Sequence, residues 1–273
     1  MVKKKTLSAQ FDWVQAQFKN LTKDQIIQDI IDLPILNFTI EEGHLKYYEY
    51  NYNFNYAGIR LYFQSADIGN MDFREPFEDC LLIISGQALS AYRADKIEEN
   101  APVYQLVNRI NAYGLINRVD PCIDDCNQIP YFKPHELLYY CEHGKYAYGK
   151  SMEYDTYGTA NTGMTLYLKP KSTDDKIRIY DKQAEQANKQ GLRIKDVAPQ
   201  VRTEIEFRRQ KAQDFIGQYL NQDESLLDFT RGYLKNRVHF FPIMNSRLPP
   251  ENGKTSWAMS QRLNWQVLHI QTA

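Results

Sequence analysis

A chain of 273 residues, 43% hydrophobic and 25% charged, has an ordinary globular composition that can fill the core of one large domain, or of one domain with an appendage. A net charge of −1 excludes a polycation that coats nucleic acid by charge alone. No apolar run approaches the roughly 20 residues of a membrane span, and the opening Met-Val-Lys-Lys-Lys lacks the apolar stretch of a signal peptide, so a soluble, cytoplasmic protein is expected.

Along the chain, Phe11 to Phe18 alternates apolar and polar side chains as a strand does. Thr22-Lys-Asp-Gln25 reads as a capping box opening a short helix with Ile26, Ile27, Ile30 and Ile31 on its apolar face, stopped by Pro34. Strands are expected at Leu45–Asn53, Gly58–Gln64 and Cys80–Ser85, separated by Asn and Gly turn signals. Val103, Leu106, Val107 and Ile110 fall at helical spacing ahead of a capping Gly114. A strand follows over Leu115–Asp124, then a short helix over Pro134–His143 closed by Gly144. Three further strands, Met164–Leu168, Ile177–Asp181 and Val201–Phe207, come next. The second runs into a helix over Lys182–Lys189 ended by Gly191, and the third into one from about Gln210 to Leu220. The order predicts an α+β protein, an antiparallel β-sheet covered by helices, with a C-terminal extension that is mostly helical and irregular. The 20 tyrosines, against 13 Phe and 3 Trp, suit such a sheet and a nucleic-acid surface alike. Cys80, Cys122, Cys126 and Cys141 form no CxxC pair and read as reduced, mostly buried thiols.

Charge is unevenly placed. From Phe229 onward stand Arg231, Lys235, Arg237, Arg247, Lys254 and Arg262 against Glu251 alone, a net +5, which leaves −6 for the residues before (−1 minus +5). An acidic body with a basic tail fits a metal site in one part and phosphate contacts in the other. A catalytic region over 1–220 and a basic recognition extension over 221–273 are therefore expected, with Arg231, Lys235 and Arg237 as DNA contacts.

Three strands carry the chemistry. In Arg118-Val-Asp-Pro-Cys-Ile-Asp-Asp125 alternation puts Arg118, Asp120, Cys122 and Asp124 on one face. Carboxylates there need a cation such as Arg118, a metal, or solvent. In Lys176-Ile-Arg-Ile-Tyr-Asp-Lys182 the residues Lys176, Arg178, Tyr180 and Lys182 share a face, with Ile177 and Ile179 turned to a core. Cations beside a phenol favour its ionised form over an ordinary pKa of about 10 and can hold a phosphate. In Arg202-Thr-Glu-Ile-Glu-Phe-Arg-Arg209 the face carries Arg202, Glu204, Glu206 and Arg208. If this strand lies near that of Asp120, an oxygen-rich site suited to Mg²⁺ or Mn²⁺ results. The chemistry needing all three groups is attack of a tyrosine on a phosphodiester.

These motifs resemble those of the replication initiators of rolling-circle plasmids from staphylococci and related Gram-positive bacteria, a family that includes phage proteins and relaxases of conjugative transposons. The likeness runs through Phe11-Asp-Trp-Val, Ser85-Gly-Gln-Ala-Leu-Ser-Ala-Tyr-Arg93, Arg118-Val-Asp120 with Asp124, Arg178-Ile-Tyr-Asp-Lys182, and Arg202-Thr-Glu-Ile-Glu206. It implies Tyr180 as the nicking and joining nucleophile assisted by Arg178 and Lys182, and a divalent Mg²⁺ or Mn²⁺ among Asp120, Asp124, Glu204 and Glu206. It implies also a homodimer that binds origin DNA as hairpin or single strand and recruits a host helicase. The five histidines (His44, His135, His143, His239, His269) form no His-hydrophobe-His pair of the kind better-known nickases use. Pro121 interrupts what is usually an unbroken apolar strand, so that strand is expected at an edge or with a bulge. A relaxase or phage protein with the same chemistry, or an inactive DNA-binding regulator on the same fold, are the alternatives.

Overall fold

The computed structural model describes residues 7–45, 50–64, 75–159, 162–169, 171–172 and 174–241. In chain order the elements are β1 (Leu7–Phe18), a π-helical stretch Gln25–Ile31, β2 (Thr39–Glu42), β3 (Tyr50–Tyr56), β4 (Ile59–Gln64), β5 (Cys80–Ser85), α1 (Gly86–Asp95), α2 (Pro102–Tyr113) and β6 (Leu115–Asp125). There follow α3 (Pro134–Glu142), β7 (Tyr146–Tyr148), β8 (Tyr154–Thr159), β9 (Gly163–Leu168), β10 (Asp175–Asp181), α4 (Lys182–Gln190), β11 (Val201–Arg208), α5 (Gln210–Leu220), α6 (Leu226–Arg237) and β12 (Val238–Phe240). The fold is α+β with antiparallel strand pairing, as the sequence order leads one to expect. The chain divides into two compact units and passes between them within β1, β6 and β11 and once more between α5 and α6. One comprises Phe11–Asp120 and Phe207–Asp223, the other Met1–Gln10, Pro121–Glu206 and Glu224–Ala273. They are called here the Trp13 unit and the Tyr180 unit.

In the Trp13 unit the strands lie in the order β2-β3-β4-β5-β1-β6. The capping box forms as written: Thr22 N–H donates to Gln25 Oε1 at 2.9 Å and Gln25 N–H to Thr22 Oγ1 at 3.2 Å. All four isoleucines of that face are buried, and the π-helical stretch packs against α2, whose Val103, Leu106, Val107 and Ile110 are buried in turn. The apolar run Cys80–Leu82 and Ile84 has both faces covered, because α1 packs behind β5 while Tyr50, Tyr62, Leu81 and Ile83 cluster with Trp13 in front.

In the Tyr180 unit the order is β6-β11-β10-β9-β8, and β7 and β12 make a separate two-stranded ribbon. Leu166, Leu168, Ile177 and Ile179 are all fully buried, and α3 and α4 pack on β9 on their side. Gly163 allows this approach: its φ is +97°, and a Cβ there would lie 2.6 Å from that of Ala184 in α4. Asp181 ends β10 and caps α4, accepting from Ala184 N–H at 2.9 Å. The placement of Pro121 corrects the expectation of an edge strand, since β6 has β1 on one side and β11 on the other. Pro121 stands instead where the chain leaves the Trp13 unit.

Most element boundaries follow the sequence pattern, with β10 beginning at Asp175 and β11 ending at Arg208; the strand expected over Leu45–Asn53 is instead found over Tyr50–Tyr56, and residues 46–49 of that expectation lie outside the described residues. Elements without a sequence signal are β2, α1, β7, β8 and β12. Arg247, Glu251, Lys254, Arg262 and His269 lie outside the described residues. Among the described residues no helix is long and apolar enough to cross a membrane.

Candidate active site

The open face of the Tyr180 unit is the one that alternation assigns to Lys176, Arg178 and Tyr180, opposite the buried Ile177 and Ile179. Its centre is Tyr180, only 7% exposed. The phenol hydroxyl donates to Glu204 Oε2 at 3.4 Å, a long hydrogen bond. Arg178 pairs with Glu204 Oε1, so one buried carboxylate holds both the phenol and the guanidinium. The Arg178 guanidinium and the Lys182 ammonium lie 5.2 and 5.5 Å from the centre of the Tyr180 ring, within cation–π range. Both side chains lie over the ring and help to cover it.

Each cation has its own acid. Burial alone would lower the Arg178 pKa, but Glu204 beside it outweighs that and raises it above its ordinary value, so the guanidinium stays charged. Lys182 Nζ reaches Glu185 Oε2 at 2.6 Å, and Lys189 binds the other oxygen of the same carboxylate. Burial would raise the Glu185 pKa, but the two lysines hold it below the usual value. Lys176 Nζ lies 3.1 Å from Glu206 Oε1. Arg202 makes a two-pronged bridge to Asp124, Nε to Oδ1 at 2.7 Å and Nη2 to Oδ2 at 2.8 Å, with both side chains buried. Burial opposes the Arg202 charge, and Asp124 more than restores it.

The four carboxylates expected to hold a metal are therefore placed as follows. Glu204 and Glu206 lie on the Tyr180 face, each against a cation of β10. Asp124 belongs to the same unit and is taken up by Arg202. Asp120 is in the Trp13 unit, where Arg118 Nε donates to it at 2.9 Å and the Arg118 guanidinium sits 4.6 Å above the Trp13 ring. Among the described residues no group of three or more His, Cys, Asp or Glu is gathered to hold a metal ion. As arranged, each of these acids is paired with a basic side chain.

Arg231, Lys235 and Arg237 lie on α6 in the Tyr180 unit. Arg231 is mostly covered and bound to Asp228 at 3.2 Å, while Arg237 is exposed, with its guanidinium 5.6 Å from the Tyr233 ring. Sequence reasoning missed Glu185 as the partner of Lys182, although the Lys182-x-x-Glu185 spacing is the signal for it. It also missed the Arg202–Asp124 bridge, for which only the coexistence of a basic and an acidic residue on two apolar strands gives a hint.

Comparison with known proteins adds to this geometry. Residues 114–270 match the family model described as Replication initiation factor, and residues 8–105 match that of the Rolling Circle replication initiation protein N-terminal domain. Among solved structures, a rolling circle replication initiator protein from Geobacillus stearothermophilus superposes with a TM-score of 0.69 over 94% of this chain and 97% of that one, at 20% identity. That likeness is one of fold. A comparison with curated proteins finds no match.

Proposed function

Since the chain belongs to the replication initiation factor family, we propose that it starts rolling-circle replication of a plasmid by nicking one strand of its origin through Tyr180 and later rejoining it. The observation that carries this is the hydrogen bond from the Tyr180 hydroxyl to Glu204 beside Arg178. It supplies a phenol, an acceptor for its proton and a cation for the phosphate in one place.

The steps balance as follows. Glu204 takes the phenol proton as Tyr180 Oη attacks phosphorus. The new O–P bond forms while the bond from phosphorus to the 3′ oxygen breaks, and the departing oxygen takes a proton from water. The result is a 5′-phosphotyrosine and a free 3′-OH, with the ester retained for the reverse step, in which a 3′-OH displaces the phenol. Arg178 and Lys182 turn from Glu204 and Glu185 toward the non-bridging oxygens and hold the charge of the transition state. The same turn uncovers the phenol.

For Mg²⁺ or Mn²⁺ to act, Glu204 and Glu206 would have to exchange Arg178 and Lys176 for it, and nicking followed through a manganese titration against EDTA tests that exchange. We assign 1–220 to catalysis and 221–273 to origin recognition, the latter through Arg231, Lys235 and Arg237, in a homodimer that hands the nicked origin to a host helicase. The central test is a single-stranded oligonucleotide carrying the origin hairpin, incubated with the protein and run on a denaturing gel. Wild type should give a covalent adduct and Tyr180→Phe none. An adduct that survives Tyr180→Phe would move the role to another tyrosine.

A further inference from the structure

Strand register extends the Tyr180 face outward. Tyr180 stands directly opposite Thr165 of β9, and Thr165 directly opposite Tyr157 of β8. Directly opposed residues of antiparallel strands project to the same side of a sheet, so Tyr180, Thr165 and Tyr157 form one row. Two residues along, Arg178, Tyr167 and Asp155 form the next row on that side. At the usual strand spacing, Tyr157 is about 10 Å across the sheet from Tyr180.

Exposure alone would mean little, since Tyr113 is 64% exposed and belongs to the other unit. Tyr157, 63% exposed, differs in lying on the nucleophile's face of the last strand in the order. Its ring meets Tyr167 edge-on, at 5.5 Å between centres and 82° between planes. Tyr167 braces the ring, and most of the Tyr157 side chain remains open to solvent. The charge beside it is also informative. No basic residue occurs in β8, and Asp155 is the acid of its row. Lys171 lines the same cleft together with Glu153 and Asp155, so no net positive charge is gathered there to hold a phosphate, and the exposed ring calls for a flat, uncharged partner. A nucleobase meets that requirement, and base–aromatic stacking is indifferent to which base it is.

We propose that Tyr157, braced by Tyr167, is a stacking platform for a base of the single strand that flanks the phosphate attacked by Tyr180. The proposal rests on the assignment of Tyr180 as nucleophile. With the phosphate at Arg178 and Tyr180, the strand leaves across Thr165, and the base stacks at the sheet edge. Tyr157 is a positioning residue, touching the substrate away from the reacting atoms.

The test uses the full chain and the origin-hairpin oligonucleotide with 2-aminopurine placed at the first or second position on either side of the scissile phosphate. Binding to wild type should quench the fluorophore at one of these positions. Tyr157→Ala should abolish the quench and weaken binding by roughly 5- to 150-fold, the range expected for a single base–aromatic stack, and Tyr157→Phe should keep both. Equal quench and affinity in Tyr157→Ala, with adduct still formed by wild type, would overturn the platform and leave the Tyr180 assignment standing. A Tyr157→Ala chain that changes only its sedimentation would show the edge to be an interface between copies, and would also overturn it. If wild type forms no adduct at all, the Tyr180 assignment fails and the platform falls with it.

Discussion

Arg202 and Asp124 offer the sharpest way to separate structural acids from catalytic ones. The pair is buried, with side-chain exposures of 5% and 7%, and is joined by two hydrogen bonds of 2.7 and 2.8 Å. Removing one partner strands the other charge away from water, which costs about 3–5 kcal/mol, a large part of the roughly 5–15 kcal/mol that holds a domain folded. Arg202→Met should therefore lose about 3–5 kcal/mol. At roughly 2–4 °C per kcal/mol its melting midpoint should fall by on the order of 10 °C. Asp124→Leu should lose a similar amount. The double variant buries no charge and should return to within about 1 kcal/mol of wild type, because a buried pair replaced by apolar side chains is often neutral or better. Urea unfolding followed by circular dichroism measures all four proteins. If Asp124→Leu kept full stability and lost only nicking, Asp124 would be a ligand of the reaction centre, and the reading of the bridge as scaffold would be wrong.

Three further outcomes are expected. Glu204→Gln should slow single-turnover adduct formation by about 10²–10⁴-fold and flatten the acidic limb of its pH profile; an unchanged rate and profile would remove Glu204 as the proton acceptor. Replacing Arg231, Lys235 and Arg237 together should weaken duplex binding and reduce its salt slope by about one unit for each phosphate no longer neutralised, with Arg231 contributing least because Asp228 already holds it; an unaltered slope would take α6 out of the interface. Glu185 has a folded pKa held below its ordinary value of 4.5 by Lys182 and Lys189, so its contribution to stability is present above that value and is lost as pH falls through the lower folded one. The stability gap between wild type and Glu185→Gln should close in acid titration, and a gap that persists below the titration of all carboxylates would refute the assignment.

The strands to which the chemistry is assigned were legible because they combine two periodicities. In β10 the alternation of Ile177 and Ile179 with Arg178 and Tyr180 gives both the strand and its faces, and the burial of both isoleucines confirms the pattern. The capping box at Thr22 was equally plain, since its partners lie three residues apart. Local signals fail where the partner is distant in sequence. Nothing near Asp124 tells that its cation is 78 residues away in Arg202, and the oxygen-rich face that alternation suggests became a set of ion pairs. β8 escaped notice for the opposite reason: as an edge strand with almost every residue exposed, it has no apolar alternation to read.

How the Tyr180 unit could bind a polyanion although the chain is nearly neutral follows from which of its pairs can open. Arg202–Asp124 is closed to solvent on both sides and has no exposed cation to offer. In Arg178–Glu204, Lys176–Glu206 and Lys182–Glu185 the cation keeps 39%, 30% and 15% of its side chain exposed, so each can meet an incoming phosphate. A cation that turns to DNA leaves a carboxylate behind, and that carboxylate must recruit a counterion from solution. Cation release from the phosphates is then partly offset by cation uptake on the protein, so the salt dependence of binding at this face should be shallower than the number of phosphates it holds implies. On the proposed reading a neutral face of this kind would grip a phosphate only where shape and stacking bring one to Tyr180, whereas a free cationic patch would hold any duplex. On that reading, selectivity for the single-stranded part of the origin would in this way arise from the ion pairs that in the free protein cover Tyr180.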